Sequence, residues 1–463
     1  MDNSSVKIKL MKAQTQNLPP SIKPSFIGGH FFKFRRDPTG FVTELARLGD
    51  VAYFKMGGQH AYLLNHPDLV RDLLVVNAHK FVKGRALQRA KSLLGEGLLT
   101  SEGEAHLRQR RMIQPAFHRE KIKSYADSMT ESASKMASEW KAGEARDIDK
   151  EMMRLTLQIV GKTLFSANVE DSTDEVGAAM TTLIEMFNYL LIPFSEILEK
   201  LPIPHARRFN RAKETLDSVI YGIINERRKS GEDKGDLLSM LLMAQDEEGG
   251  GAMTDKQVRD ECLTLFLAGH ETTANTLTWT FYLLSQNTEK EIKLHEELDR
   301  VLPGGKIPTI EDLPNLKFTE SVLAESMRLF PPAWALGRLA VEEHEFGGYI
   351  IPKGALVLLS MYVLQRDRRF WEDAEVFKPE RWLHENAVKE ANQKFIYLPF
   401  GGGIRRCIGE QFAWTEGVLL LATIAGKWKL SLLPEQKIGL NALMTLRPKY
   451  GMKMKIEKRH RPH

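Results

Sequence analysis

Cysteine is scarce in this chain: two in 463 residues, Cys262 and Cys407, 145 positions apart. That excludes a disulfide framework and points to a reducing compartment. Charge of one dominant sign is also lacking, and a net +5 is too weak by itself to imply a nucleic-acid partner. The opening "MDNSSVKIKLMKAQTQNLPPSIKP" holds no apolar run long enough for a signal peptide or membrane anchor. The most apolar internal stretch, Leu263 to Leu284, carries His270 and Glu271. A carboxylate at mid-bilayer costs roughly 2.5–3.5 kcal/mol, so this stretch reads as a buried helix of a globular protein. Neither a Pro/Gly/Ser linker nor an internal repeat divides the chain.

What is present is a core. Hydrophobic residues make up 43% and charged ones 27%, the balance of a globular protein. "DVAYFKMGGQHAYLLNHPDLVRDLLV" predicts two strands around Gly57-Gly58, then a helix with Pro67 in its first turn. From about 103 to 245 apolar residues recur three and four apart, the helical period. The acidic "DEEGGGAMT" is a loop, after which Thr254 and Gln257 form a capping box. The helix it opens runs to about Ser285, roughly 45 Å at 1.5 Å per residue, long enough to cross the protein. Short strands, a proline-rich stretch and a strand-rich tail follow. The expectation is a mainly α fold with small β-sheets: a leader over 1–20, one large domain over 21–455 and a basic tail over 456–463.

Against that background "PFGGGIRRCIGEQF", Pro399 to Phe412, stands out. Glycines that lead into Arg-Arg-Cys do not match a phosphate loop, which needs Lys and Ser/Thr. A plain glycine turn and a metal-bound thiolate both remain open. For the second, Arg405, Arg406 and the start of a helix are neighbours that lower a thiol pKa. Glycine lets the backbone approach a flat cofactor without Cβ clashes.

Phe400-x-x-Gly403-x-Arg405-x-Cys407-x-Gly409 resembles, at every fixed position, the haem-binding signature of the cytochrome P-450 family. Four more motifs occur in that family's order. "AGHETT" puts Ala268, Glu271 and Thr272 in the middle of the long helix, where Gly269 and threonine hydroxyls favour a local opening. Glu325-x-x-Arg328 and the Arg381 of "FKPERW" match a buried structural network. "EAHLRQRR" places His106 four residues before Arg110, where relatives often carry tryptophan; both types can donate to a haem propionate. Arg338 and Arg405 occupy further propionate-binding positions, arginine being a rigid fork of donors for carboxylates.

The resemblance implies haem b with Cys407 as proximal thiolate, whose electron donation favours O–O cleavage. One atom of O2 enters a C–H bond of a lipophilic substrate, and Glu271 and Thr272 organise water and protons. By family position the pocket is lined by Phe81, Leu98, the stretch Met186 to Phe194 including Phe187, Phe266, Ala268, Ala333, Trp334, Leu336, Leu443 and Met444. That suggests a fatty acid, terpenoid or steroid; Arg85 is a candidate carboxylate anchor. Electrons are expected from a ferredoxin or flavodoxin with its reductase, docked at a basic stripe of Arg108, Arg110, Arg111, Arg119, Lys121 and Lys123. A monomer in the cytoplasm, without nucleic acid or a stable membrane anchor, completes the expectation. The rivals are a peroxide-using relative, disfavoured by Glu271-Thr272, and a non-catalytic haem sensor. A non-haem iron centre lacks support, because the 13 histidines include no HExxH pair.

Overall fold

In the computed structural model, residues 18–167, 173–190, 204–246 and 251–459 are described. They fall into two compact units: one formed by Met1–Arg85, Ala335–Leu364 and Gly402–Ile404, the other by Ala86–Trp334, Gln365–Gly401 and Arg405–His463.

The first unit is built on a five-stranded sheet, in the order Val51–Met56, Gln59–Leu64, Leu356–Leu359, Leu336–Ala340 and Phe81–Lys83. Only the pairing of Leu356–Leu359 with Gln59–Leu64 is parallel. The predicted hairpin is present, with Met56 opposite Gln59 and Gly57 at φ +60°, the left-handed conformation a two-residue turn demands. Pro67 opens the next helix, capped by the His66 side chain. One register detail concerns charge. Lys83 lies directly opposite Arg338, so the two project from the same face of the sheet, and both are buried.

The second unit surrounds one helix, Asp255–Gln286, started by the Thr254–Gln257 capping box. Its buried positions occur on every side, as expected of a helix at the centre of a large domain. Helix Ile148–Phe165 packs closely against it. A Cβ on Gly269 would approach Val160 Cγ2 to 2.9 Å, and Thr156 donates its hydroxyl to the His270 carbonyl at 2.8 Å. Gly269 therefore answers a close helix crossing, and the helical assignment continues without a break through it. A three-stranded sheet, Trp428–Leu432, Lys453–Lys458 and Ala145–Asp147, closes the unit, with Ile456 fully buried in its middle strand.

Helix Lys317–Leu329 carries the predicted ion pair, buried completely. Arg328 has five N–H donors, and all five are used. Two bond the Glu325 carboxylate at 2.8 Å each, and three reach the carbonyls of Gln365, Ala374 and Val376. Glu325 also accepts from the Lys378 amide, Arg381 Nε and Trp382 Nε1. Gln365 extends the network, donating to the Met327 and Arg328 carbonyls and accepting from the Leu398 amide at 2.8 Å.

A buried pair broken on one side leaves an uncompensated charge. Glu325→Ala is expected to cost about 3–5 kcal/mol in denaturant unfolding; a loss under about 1 kcal/mol would contradict a working clamp.

Candidate functional site

From Leu398 the chain enters the cysteine loop. Phe400 rests against the Trp414 ring, and its carbonyl accepts the Cys407 amide at 3.0 Å, closing the loop on itself. Gly401 and Gly403 have φ near +70°, where other residues are strained. At Gly403 a Cβ would fall 2.0 Å from the Leu74 carbonyl, so glycine is demanded there by the protein's own backbone. Gly409 N-caps the helix Glu410–Ala425.

Cys407 is accessible to solvent, although protein crowds it closely enough for burial to push its thiol up to about 11. The Gly409 amide, Arg110 and Arg406 oppose burial but do not overcome it. The arginines thus help the thiolate less than their positions in sequence suggest. Each has another duty: Arg406 pairs with Glu410, Arg405 with Glu102, and Arg110 donates to the Arg406 carbonyl at 2.8 Å. A metal cation is the agent able to deprotonate a thiol held this way.

On the central helix, Ala268 is exposed and Thr272 half-buried, while their neighbours from Asp260 to Leu267 and from Thr273 to Phe281 are buried. One short face of a core helix therefore borders open space. Thr272 donates to the Ala268 carbonyl at 2.8 Å. Glu271 is fully buried and accepts from Thr445 Oγ1, which also receives Asn275 Nδ2 at 3.2 Å. The expected acid and alcohol are thus adjacent in sequence but not bonded to each other. Burial raises Glu271 to about 7 against the pull of Arg447 and Thr445; Oε2 has no partner among the described residues. Asp149, 3.7 Å from Arg447, is likewise raised by burial, to about 6. Sequence reasoning missed Thr445, Arg447, Asp149 and also Glu416, whose carboxyl burial lifts to about 8. Lone polar residues in apolar segments were the available signal.

The other expected positions divide. Arg381 joins the Glu325 clamp. Trp334 Nε1 donates to the Leu443 carbonyl and Leu446 N–H to that of Pro332, which ties Ala333 and Trp334 to the Leu443-Met444 turn. Phe266 stacks on Phe165 at 4.3 Å, and the Leu98 amide is held by Glu261 at 2.9 Å. Phe81 packs between His344 and Phe346; Leu336 is half-buried in the first unit's sheet, and Arg85 is exposed. Residues 191–194 and the side chains of Met186 and Phe187 lie outside the described residues. His106 is buried, and its Nδ1 bonds the Leu98 carbonyl at 3.2 Å. In the neutral ring that proton sits on Nδ1, so donation from Nε2 requires the imidazolium.

A haem needs a soft ligand facing open space, cations for two carboxylates and an apolar wall. The chain supplies Cys407 and the Ala268 face. Arg405 keeps a buried Nη1 with no partner among the described residues. No cluster of three His, Cys, Asp or Glu side chains among the described residues would hold a bare metal ion. The residues fit.

The raised Glu271 makes a pH prediction. The folded protein holds this proton above the carboxyl's ordinary value near 4.5, so stability falls as pH rises from there to about 7. Glu271→Gln should flatten that decline by at most about 3 kcal/mol in denaturant titrations across the window. An unchanged slope would count against a protonated, buried Glu271.

A sequence model of the cytochrome P-450 family matches residues 19–456. Two curated relatives from Streptomyces melanosporofaciens are each 40% identical: cyclooctatin synthase over 91% of both chains, and cyclooctat-9-en-7-ol 5-monooxygenase over 88% of both. Pentalenene oxygenase of Streptomyces avermitilis is 36% identical over 90% of this chain and 92% of its own. Among the described residues no helix is long and apolar enough to cross a membrane. With the fold, the braced cysteine loop and these likenesses together, the chain belongs to the cytochrome P-450 family of haem monooxygenases, oxidoreductases that use O2, a redox partner and a lipophilic substrate.

Proposed function

We propose that Cys407 is the axial ligand of a haem b and that the enzyme hydroxylates a terpenoid alkene or alkenol. The observation that carries the ligand assignment is the accessible thiol of Cys407 in a loop braced by buried hydrogen bonds. The chain has only two cysteines and Cys262 is buried in the core, which leaves no thiol to bond a porphyrin covalently. That favours haem b. When bound, the haem supplies the oxidising chemistry, which thiolate ligation promotes. Arg405 and Arg110 would hold its carboxylates; Arg338 and His106 are assigned by motif position.

The chain's own part is to orient, to exclude water and to move protons. Glu271, near neutrality in its proton affinity, is suited to both taking and giving a proton at pH 7. Thr272, half-buried with its hydroxyl on the Ala268 carbonyl, is positioned to order water at the open face of the helix. The walls at Ala268, Trp334, Leu443 and Met444 carry no charge, which suits a hydrocarbon. Exposure of Arg85 weakens the case for a fatty-acid carboxylate. The names of the relatives point the same way, their stated substrates being an alkenol and an alkene.

For the electron donor we favour a ferredoxin or flavodoxin. Of the basic stripe, Lys121 is spent on the Gly235 carbonyl and Arg110 on that of Arg406. The docking role is assigned to exposed Arg111, Arg119 and Lys123, the last of which pairs with Glu120. Both cysteines are free, in keeping with a cytoplasmic setting.

Cys407→Ser is expected to abolish the thiolate-dependent red shift of the ferrous carbon monoxide spectrum; persistence would assign the ligand elsewhere. Thr272→Ala should keep the haem but divert electrons to peroxide, and unchanged coupling of NAD(P)H use to product would remove Thr272 from proton handling. Cyclic terpene alkenes should shift the iron spin state where fatty acids do not. The reverse pattern would overturn the substrate class while leaving the ligand assignment intact.

A further inference from the structure

The positive charge of this protein is concentrated at one end. The first 36 residues contain seven basic side chains and one acid, Asp2, whereas the rest of the chain is close to neutral. Within that region the described residues form a turn bolted to the sheet. Ser25 N–H bonds the Gly29 carbonyl at 3.0 Å, and Gly28 and Gly29 have φ of +74° and +64°. His30 fastens the base: its amide donates to the Lys55 carbonyl at 2.7 Å, and Nδ1 accepts the Lys55 amide at 3.0 Å. The ring proton is therefore on Nε2, which donates to the Ile22 carbonyl at 2.8 Å. Gly57 N–H to Gly28 O and Tyr53 N–H to Pro20 O complete the attachment.

What this turn presents is unusual for protein facing water. Phe26 at its tip is 105% exposed and Ile27 is 73% exposed, and Phe32 on the following helix, Phe31–Arg36, is 59% exposed. Single exposed apolar side chains need no explanation. Here two are held outward by an ordered turn, with a third close in sequence and exposed Lys23, Lys33, Arg35 and Arg36 around them. Lys33 pairs with Glu44; no acidic residue lies between 18 and 36. Aromatic and aliphatic tips ringed by lysine and arginine match a bilayer interface with anionic headgroups. A second copy of this chain fits poorly, because a two-fold contact would face like charge with like.

We propose that the Phe26-Ile27 turn is a docking surface for an anionic lipid bilayer: Phe26, Ile27 and Phe32 enter the interface while Lys23, Arg35 and Arg36 meet the headgroups. The contact is peripheral, since no described helix can span a membrane. It stands independently of the haem and substrate assignments.

The test is sedimentation of the full-length, haem-loaded protein with vesicles of phosphatidylcholine alone or mixed with an equal part of phosphatidylglycerol. Binding to the mixed vesicles, weakened by added salt, is expected. Phe26→Ser combined with Ile27→Ser should lower that partition by about tenfold or more. Both positions are exposed, so thermal unfolding and the visible spectrum should not move. Failure of the wild type to bind mixed vesicles, equal binding to neutral ones, or equal binding by the double variant would each overturn the proposal. Self-association without lipid that disappears in the double variant would give the surface to a second copy and overturn it as well.

Discussion

A carboxylate with no access to water organises this protein's candidate site. Glu325 accepts five hydrogen bonds, and Arg328 beside it spends every donor it has. Burying two charges is expensive, and the cost is offset only when geometry leaves nothing unsatisfied. That requirement makes the surrounding chain rigid. Trp371 lies 5.2 Å beneath the Arg328 guanidinium, and the Tyr397 hydroxyl donates to the Ala324 carbonyl. Through Gln365 the order reaches the Leu398 amide, and through Phe400 the amide of Cys407. Three consecutive glycines give the cysteine loop wide backbone freedom, which these bonds restrict.

The central helix works on a different principle. Burial raises its acid to about 7, aided by the charge of Asp149 and opposed by Arg447 and the Thr445 hydrogen bond. Burial raises Glu416 and Asp149 as well, and Ala268 and Thr272 form the open face of the helix. In the proposed function, rigid loop and titratable helix are complementary: one would hold a cofactor ligand still, and the other would manage protons.

What the sequence made legible was local. The capping box at Thr254, the turn at Gly57-Gly58, the Glu325–Arg328 spacing and the cysteine loop all depend on residues within a few positions of each other. Interactions across the chain were not legible. Gln365 has no motif that announces its bonds to Met327 and Leu398. Arg405 sits at a propionate-binding position of the motif, but nothing near it in sequence announces its pairing with Glu102, 303 positions earlier. Gly269, taken as a helix opener, turned out to make room for Val160, because closeness of two helices leaves no trace in either one's periodicity. The Cys407 thiol shows the same limit, since neighbouring arginines suggest a lowered pKa while burial raises it.

The account therefore rests on one coupling, from the buried clamp to the sulfur that would hold iron. Gln365→Ala cuts the link at Leu398, together with the bonds to the Met327 and Arg328 carbonyls, and leaves the Glu325–Arg328 side-chain pair and Cys407 in place. Its ferrous carbon monoxide complex, compared with that of the wild type, reports the fraction of iron still bound by thiolate. A clear loss of the thiolate-shifted band in an otherwise folded variant is the predicted result. Full retention would show that the cysteine loop stands without the clamp.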